Sequence, residues 1–286
     1  MTEKKEILQL VSYPLKSGEA LPLLEFPLLR QFDFVRHCFT TRAGGVSREH
    51  LASLNLSYNR GDDKANVDEN YRRLAEALGV TVADFVFTDQ THTANVNRVG
   101  AGERGCGITR VRPYTEVDGL VTNESGVVLS AFFADCVPLY FIDPVHKAIG
   151  LSHSGWRGTV QRIGARTLEK MHTEFGTEPA EVYAAVGPSI CRECYEVSAD
   201  VAEQFAAEFA GHEGEILTDK GQGKYLLDLW SANRIVLTEA GIRQEHLAVT
   251  DLCTCCNSDL LFSHRASNGM RGNLGAFMYI KKESGK

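Results

Sequence analysis

The chain has 286 residues, of which 43 % are apolar and 23 % are charged, and its formal charge at pH 7 is −7. This composition is ordinary for a globular protein that buries a full hydrophobic core. The acidic balance argues against nucleic acid or an anionic membrane as the main partner, because both bind a concentrated basic surface.

The first residues, Met1 to Lys5, are polar, and the apolar stretch and small-residue cleavage site of a secretory signal do not follow them. We therefore expect a cytoplasmic protein. In that compartment the eight cysteines are expected to be reduced thiols, metal ligands or core residues rather than a disulfide framework.

Apolar periodicity and capping signals predict strands and helices along the whole chain. In chain order we predict a strand at 34–40, a helix at 66–78, strands at 84–88, 95–99, 127–133, 139–142 and 148–152, a helix at 159–175, a strand at 182–186, helices at 199–209 and 229–240, and strands at 247–250 and 274–280. The Gly- and Arg-rich segment 100–117 predicts a mobile loop near the first candidate metal ligand. The apolar stretch 127–142 is short for a bilayer span of ~20 residues and contains Asp135, so we expect no transmembrane helix. The mixture indicates an α/β or α+β fold in one domain.

Three potential metal ligands, His92, Cys136 and His153, each lie at the end of a strand-like run. One thiolate and two imidazoles suit Zn²⁺, and three protein ligands leave a fourth position for water or substrate, as in catalytic zinc sites. Each residue alone also has an ordinary interpretation, since a free cysteine is usually a small buried hydrophobe. His153 stands out individually because it lies between a buried strand and the glycine-flanked start of a helix.

Two aspartates near these ligands are candidate catalytic residues. Asp135 precedes Cys136, so it could orient a ligand histidine, as carboxylates often do at zinc sites, or it could cap a strand end. Asp118 could act as a general acid or base, although the dipeptide Asp118-Gly119 is also typical of a turn.

Arginines and glycines supply candidate anion ligands. Arg42 ends a strand and is followed by Gly44 and Gly45, so a guanidinium and backbone N–H groups could converge on phosphate, or the segment could be a glycine turn with a surface arginine. Arg157 and Arg265 are further candidates for binding substrate or phosphate. A fourth arginine, Arg271, lies close to Arg265 in the sequence.

Five other cysteines form two groups. Cys191 and Cys194 have Cys-x-x-Cys spacing, and Cys253, Cys255 and Cys256 form a second group in which Cys-x-x-Cys spacing is obtained only by skipping Cys255. This pattern is compatible with a four-cysteine structural zinc site. From the sequence we favour two groups of thiols around a pocket instead.

A set of motifs spread over about 34–280 resembles the laccase-domain family, also called the multicopper polyphenol oxidase or peptidoglycan-editing-factor family. The motifs are Thr41-Arg42-x-Gly44-Gly45-Val46-Ser47, Asn55-Leu56-Ser57 with Gly61-Asp62-Asp63, Gln90-x-His92, Ala134-Asp135-Cys136-Val137-Pro138, His153-x-Gly155-Trp156-Arg157-Gly158, Gly187-Pro188-Ser189-Ile190, Cys194-Tyr195-Glu196-Val197, Cys253-Thr254 and Phe262-Ser263-His264-Arg265. The chain departs from the family pattern at Thr93, Cys191 and Ala266, which places substrate preference in doubt more than the reaction.

The resemblance implies a single α+β domain, 1–286, built as an α/β/β/α sandwich with mixed β-sheets. It also implies that His92, Cys136 and His153 are the metal triad of a zinc-dependent purine nucleoside enzyme. The implied activities are phosphorolysis of adenosine, inosine and S-methyl-5′-thioadenosine with phosphate, and deamination of adenosine. We expect a monomer or a weak homodimer.

Three alternatives stay open at this point. Copper-dependent phenol oxidation fits the older family name, and a site with one Cys and two His also accepts Cu²⁺; however, a laccase needs further copper ligands, and the nine histidines include no His-x-His pair. Cys136 and His153 could instead form the nucleophile and base of a hydrolase. In the third alternative, the metal only stabilises a binding module involved in cell-wall quality control.

Overall fold

Two six-stranded sheets and one three-stranded sheet form the β part of the computed structural model, which describes residues 6–282. The strands are β1 (Gln9–Pro14), β2 (Ala20–Glu25), β3 (Val35–Thr40), β4 (Phe85–Phe87), β5 (Val96–Arg98), β6 (Gly119–Thr122), β7 (Val128–Phe133), β8 (Val137–Asp143), β9 (Ala148–Ser154), β10 (Tyr183–Val186), β11 (Glu196–Ser198), β12 (Leu217–Gly221), β13 (Lys224–Leu227), β14 (Leu247–Val249) and β15 (Leu274–Ile280). The α-helices are α1 (Pro27–Arg30), α2 (Lys64–Leu78), α3 (Trp156–Val160), α4 (Ile163–Phe175), α5 (Ala199–Glu208), α6 (Glu213–Ile216) and α7 (Leu229–Glu239).

The two large sheets pack face to face. The first has the order β1-β2-β3-β15-β7-β4, and the second has the order β14-β10-β8-β9-β6-β5. Each mixes parallel and antiparallel pairs: β4 runs parallel to β7 in the first sheet, and β5 runs parallel to β6 in the second. Leu129 of β7 and Leu151 of β9 belong to one buried cluster between the sheets.

Helices cover the two outer faces of this pair of sheets. Tyr71 of α2 packs with Phe277 of β15 on the outside of the first sheet. Leu168 of α4 packs with Phe141 of β8 on the outside of the second sheet. The resulting α/β/β/α sandwich, with mixed sheets, confirms the α+β fold class that the resemblance implied.

The long helix α2 illustrates how local sequence fixes an element. The side chain of Asp63 accepts a hydrogen bond from the backbone N–H of Ala65 and caps the N-terminus. Gly79, with φ 71°, ends the helix in the left-handed conformation that glycine adopts without strain. These signals are local, and the sequence predicted this helix closely.

All nine predicted strands are present, but the predicted helix at 159–175 is divided into α3 and α4. Arg162 lies between them with φ 58°, and its guanidinium pairs with Glu208 and Glu239. These partners come from α5 and α7, so the interruption depends on tertiary contacts that periodicity does not report.

Six of the described strands were not predicted: β1 and β12 contain many exposed residues, whereas β2 is mostly buried and the short strand β6 is entirely buried. In β1 every second residue is exposed, and most of β12 faces solvent, so neither carries the apolar run used to predict strands. Among residues 6–282 no helix has both the length and the apolarity to cross a membrane. Met1 to Lys5, on which the expectation about a secretory signal depends, lie outside the described residues.

Candidate metal centre

The fold brings the three predicted metal ligands to one point. His92 lies in the segment after β4, Cys136 lies in the turn where the chain crosses from β7 of one sheet to β8 of the other, and His153 lies in β9. Pro138 pairs with His153 across the β8–β9 ladder, which sets Cys136 beside the end of β9. One ligand atom from each of the three residues lies within 4.8 Å of the other two.

Two residues at the centre have an unusual backbone conformation with a positive φ angle. His92 and Asp135 have φ values of 66° and 82°, and non-glycine residues adopt this conformation rarely, most often at functional sites. A Cβ on Gly155 would lie 2.9 Å from His92 Cδ2 and 3.2 Å from Cys136 Sγ. Gly155 therefore leaves free the space between the ligands that a metal ion requires.

The carboxylate of Asp118 holds two of the three candidate ligands in place by hydrogen bonds. Its Oδ1 accepts from His153 Nδ1 at 2.8 Å and from the backbone N–H of His92 at 3.1 Å. Its Oδ2 accepts from the backbone N–H groups of Thr91 and Thr93 and from the Thr93 hydroxyl. The fully buried carboxylate thus fixes the loop that carries one ligand and leaves Nε2 of the other free to bind a metal.

The electrostatics of the centre favour a thiolate. Burial alone would raise the pKa of the Cys136 thiol, but the charge of His153 and hydrogen bonds to both histidines lower that pKa to about 6. Burial would lower the pKa of His153, but the Cys136 thiolate and the Asp118 carboxylate raise it to about 9. The thiolate is the form of cysteine that binds metals and acts as a nucleophile.

The triad lies in the wall of a cavity of about 350 Å³. Besides the three ligands, the cavity is lined by Asn59, Arg60, Thr88, Asp89, Gln90, Arg112, Phe132, Phe133, Ala134, Arg271 and Asn273. This volume is within the range of small-molecule sites, and aromatic and cationic groups share the lining.

Gln90 holds the His92 segment against the end of β7. Its side-chain amide donates to Phe132 O at 2.7 Å, and its side-chain oxygen accepts from Phe132 N at 2.8 Å. One side chain therefore makes both hydrogen bonds that a neighbouring strand would make, so the wall of the cavity stays closed where β4 has ended.

The structure does not bring Arg42, Gly44 and Gly45 to this cavity. The Arg42 guanidinium donates to the backbone carbonyls of Ala52 and Ser258, each at 2.8 Å. A Cβ on Gly45 would lie 2.1 Å from Ser53 O, so that glycine serves close backbone packing. The segment acts as a packed turn, which was the alternative interpretation of its sequence.

Asp135 is placed differently from the prediction that it orients a histidine. Its carboxylate oxygens accept from the Thr254 hydroxyl and from the backbone N–H of Arg265, each at 2.7 Å. The carboxylate that orients His153 is Asp118, whose distance from His153 in sequence had hidden the pairing. Asp135 instead ties the Cys136 turn to two distant loops.

Arg157 and Arg265 lie outside the lining of the cavity. Arg157 is exposed and its guanidinium stacks over the Trp156 ring at 4.2 Å. The Arg265 guanidinium donates to the carbonyls of Cys194 and Glu196. Its contacts support a loop rather than an open anion site.

The cationic groups that do line the cavity are Arg60, Arg112 and Arg271. Nε of Arg271 is buried and has no hydrogen-bond acceptor. Burial and the nearby charge of Arg60 lower the pKa of Arg271 to about 10. Sequence analysis singled out only Arg271 of these three. Arg60 adjoins the Gly61-Asp62-Asp63 motif, and that proximity was the signal that could have identified it.

Known proteins match the sequence of this chain over nearly its whole length. A family model described as multi-copper polyphenol oxidoreductase laccase matches residues 36–281. A purine nucleoside phosphorylase from Deinococcus radiodurans is 43 % identical over 270 residues, covering 94 % of this chain and 97 % of its own length. Adenosine deaminase RL5, from an unknown prokaryotic organism, is 34 % identical and covers 83 % of this chain and 93 % of its own length.

A solved structure has the same architecture. The crystal structure of YlmD from Geobacillus stearothermophilus superimposes with a TM-score of 0.84 at 36 % sequence identity. The match covers 91 % of this chain and 96 % of that one. The likeness therefore extends over most of both chains.

Proposed function

Since the chain belongs to the multi-copper polyphenol oxidoreductase laccase family, we propose that it is a zinc-dependent purine nucleoside phosphorylase that also deaminates adenosine. The proposed substrates are adenosine, inosine, S-methyl-5′-thioadenosine and inorganic phosphate. One sulfur and two imidazoles converging in the wall of a cavity is the observation that carries the proposal. The names of the relatives from D. radiodurans and of RL5 support the two reactions.

Zinc is the metal that we assign to His92, Cys136 and His153. One thiolate and two imidazoles are donors that zinc prefers, and Gly155 leaves space between them. When bound, zinc supplies Lewis acidity at a fourth coordination position. Asp118 Oδ1 lies 2.8 Å from Nδ1 of His153, and with the ring proton on that nitrogen Nε2 would be the atom that holds the metal.

The phosphate subsite is proposed at Arg60 and Arg271. Phosphorolysis requires a phosphate oxygen to attack ribose C1′ as the bond to the purine breaks, and guanidinium groups bind phosphate through charge-assisted hydrogen bonds. The buried Nε of Arg271 lacks an acceptor, and a bound anion would satisfy it and offset the repulsion from Arg60. This assignment replaces Arg42, Gly44 and Gly45 as the phosphate holder.

Asp118 and Asp135, the predicted proton carriers, are proposed to act through other residues. Neither lines the cavity, and both oxygens of each carboxylate already accept hydrogen bonds. We assign to Asp118 the positioning of His92 and His153, and to Asp135 the positioning of the turn that carries Cys136.

A nucleoside assay on defined metal forms tests the proposal. Protein stripped of metal and reloaded with zinc should release hypoxanthine and ribose 1-phosphate from inosine only when phosphate is present, and should convert adenosine to inosine without it. Copper-loaded protein should be assayed with phenols in parallel. Phenol oxidation by the copper form together with no nucleoside turnover by the zinc form would refute the proposal.

A hydrolase that uses Cys136 as nucleophile is the second candidate, because His153 lies against a sulfur whose pKa is lowered to about 6. The two candidates respond oppositely to chelation. Removal of zinc should abolish nucleoside turnover, whereas a cysteine hydrolase should retain or gain activity because its thiolate becomes free.

A further inference from the structure

A second cluster of potential metal ligands lies outside the catalytic cavity. Cys191 precedes a short 3₁₀ turn after β10 and Cys194 is the last residue of that turn, whereas Cys253 and Cys256 lie in the loop after β14. The four sulfurs all lie within 4.8 Å of one another. Cys255, between the last two, is not a member of the cluster.

Backbone contacts hold the two loops in register. Ser189 and Cys253 form an isolated parallel bridge, and the backbone N–H of Thr254 donates to Ser189 O at 3.0 Å. The juxtaposition of the sulfurs is therefore built by the main chain and does not depend only on side-chain rotamers.

The spacing of the sulfurs fits a tetrahedral ion. Zinc binds thiolate sulfur at ~2.3 Å, which places sulfurs at the corners of a tetrahedron about 3.8 Å apart. Cys256 Sγ lies 3.4 Å from Cys194 Sγ and 4.0 Å from Cys191 Sγ. All eight cysteines are free, so these sulfurs are not joined as disulfides.

Backbone donors are aimed at one of the sulfurs. Cys253 Sγ accepts from the backbone N–H of Cys191 at 3.3 Å and from that of Cys256 at 3.4 Å. Hydrogen bonds to a sulfur favour its negatively charged form, which is the form that binds metal. One donor comes from each loop, so both loops contribute to the surroundings of the Cys253 sulfur.

We propose that Cys191, Cys194, Cys253 and Cys256 bind a structural zinc ion, distinct from the metal at the catalytic triad. Four thiolates in tetrahedral array select zinc or iron, and a site with four protein ligands is closed to substrate. The sequence analysis favoured two groups of thiols around a pocket, but the structure brings the four sulfurs into one cluster.

This zinc site would brace the catalytic triad through Asp135. The backbone N–H of Ile190, next to Cys191, donates to Asp135 O at 3.0 Å, and the hydroxyl of Thr254, next to Cys253, donates to Asp135 Oδ1 at 2.7 Å. Asp135 adjoins Cys136. A metal that joins the two loops therefore fixes both partners of the turn that carries a catalytic ligand.

Zinc stoichiometry tests the proposal and does not depend on any enzymatic activity. The purified full chain, loaded with zinc and freed of excess, should hold about two zinc ions by elemental analysis. Cys256→Ser, at the most exposed member of the cluster, should hold about one, and the matched control Cys255→Ser should hold about two. His92→Ala should also hold about one zinc ion, because it should lose the ion at the triad and keep the ion at the cysteine cluster.

Cobalt substitution identifies which ion each variant has lost. Co²⁺ bound by four thiolates should give an intense sulfur-to-metal charge-transfer band. This band should survive in His92→Ala, and in Cys256→Ser it should fall to the weaker absorption of cobalt bound by the single thiolate of the triad. The proposal would be overturned by one zinc per wild-type chain that is lost in His92→Ala, or by a zinc content in Cys256→Ser equal to that of the wild type. It would also be overturned by iron rather than zinc in the purified protein, or by a disulfide within the cluster in mass spectrometry. The wild-type measurements keep the test valid if a variant fails to fold.

Discussion

The proposed catalytic triad and the four-cysteine cluster are both thiol-bearing groups of candidate metal ligands, but their surroundings differ. The triad opens on a cavity lined by cationic and aromatic groups, and Asp118 orients one of its histidines. The four cysteines come from two loops that are joined by a backbone bridge, and two backbone N–H groups donate to the sulfur of Cys253. We infer that an open coordination position beside a cavity, rather than the presence of metal ligands, distinguishes a reactive metal site from a structural one.

The largest expected effect is loss of turnover at the triad. Cys136→Ala should reduce nucleoside phosphorolysis and deamination to the level of a blank, because the remaining two histidines bind zinc weakly. In excess chelator its melting temperature should lie within about 4 °C of metal-free wild type. Zinc-free Cys136→Ala that still deaminates adenosine would remove the metal from the mechanism.

The opposite pattern is expected at the cysteine cluster. Cys194→Ser should lower the melting temperature of the zinc-loaded protein by about 10 °C, since metal binding free energy contributes directly to folding. Turnover at 25 °C should fall by less than about tenfold, because no cluster residue lines the cavity. Calorimetry and initial rates measure the two effects, with Cys255→Ser as control. A large loss of turnover without loss of stability would contradict the division of roles.

Asp118→Asn should weaken zinc binding at the triad by about 10–100-fold, because a neutral amide supports His153 less well than a carboxylate. Competition with a chromogenic chelator measures the affinity. The matched control is Asp143→Asn, since Asp143 makes a comparable 2.8 Å contact to His146 and neither residue belongs to a ligand cluster. Equal zinc affinity in both variants would show that Asp118 does not tune the metal site.

Phosphate binding separates the candidate arginines. Arg271→Gln should raise the KM for phosphate by about tenfold or more, as expected for loss of a charge-assisted hydrogen bond, and should change the KM for inosine less. Arg157→Gln, at an exposed arginine outside the cavity, should leave the KM for phosphate unchanged. If Arg157→Gln has the larger effect, the phosphate subsite has been placed at the wrong end of the site.

The smallest expected effect concerns His37, a buried histidine away from both clusters. Burial, and then the charges of Arg30 and Arg36, lower its pKa from 6.5 to about 3, and its Nε2 accepts from the backbone N–H of Phe26. The contribution of neutral His37 to the free energy of unfolding is therefore present above pH 6.5 and is lost as the pH falls toward 3.

Between pH 7 and pH 5.5 the free energy of unfolding, measured with urea, should fall by about 1 kcal/mol through this effect. His37→Gln, which keeps a hydrogen-bond acceptor but does not titrate, should lack that component. Parallel pH profiles of the wild type and His37→Gln would show that the acid sensitivity arises elsewhere. In contrast, the pKa of His153 at the triad is raised to about 9. The two buried histidines therefore differ in the direction of their pKa shifts, one lying in the core and the other among candidate metal ligands.

Much of the fold could be predicted because its signals are local. The apolar runs of β7, β8, β9 and β15 and the capping residues of α2 mark those elements within a few positions in the sequence. The triad could be predicted as well, since each ligand follows or ends such a run. The small sheet β11-β13-β12 was not predicted; its strands are short, and Leu227 is the one residue in them that is buried.

The sequence alone identifies the candidate donor atoms, the succession of the main strands along the chain and the three residues that meet as a triad. The fold is needed to see that Asp118 rather than Asp135 contacts His153, that Arg42 lies outside the cavity, and that Cys191 and Cys256 are neighbours. The physical reason is that these contacts join residues far apart in the chain, 35 positions for Asp118 and His153 and 65 for the two cysteines. Periodicity and spacing report only what neighbouring residues do, whereas the packing of two sheets decides which distant side chains meet.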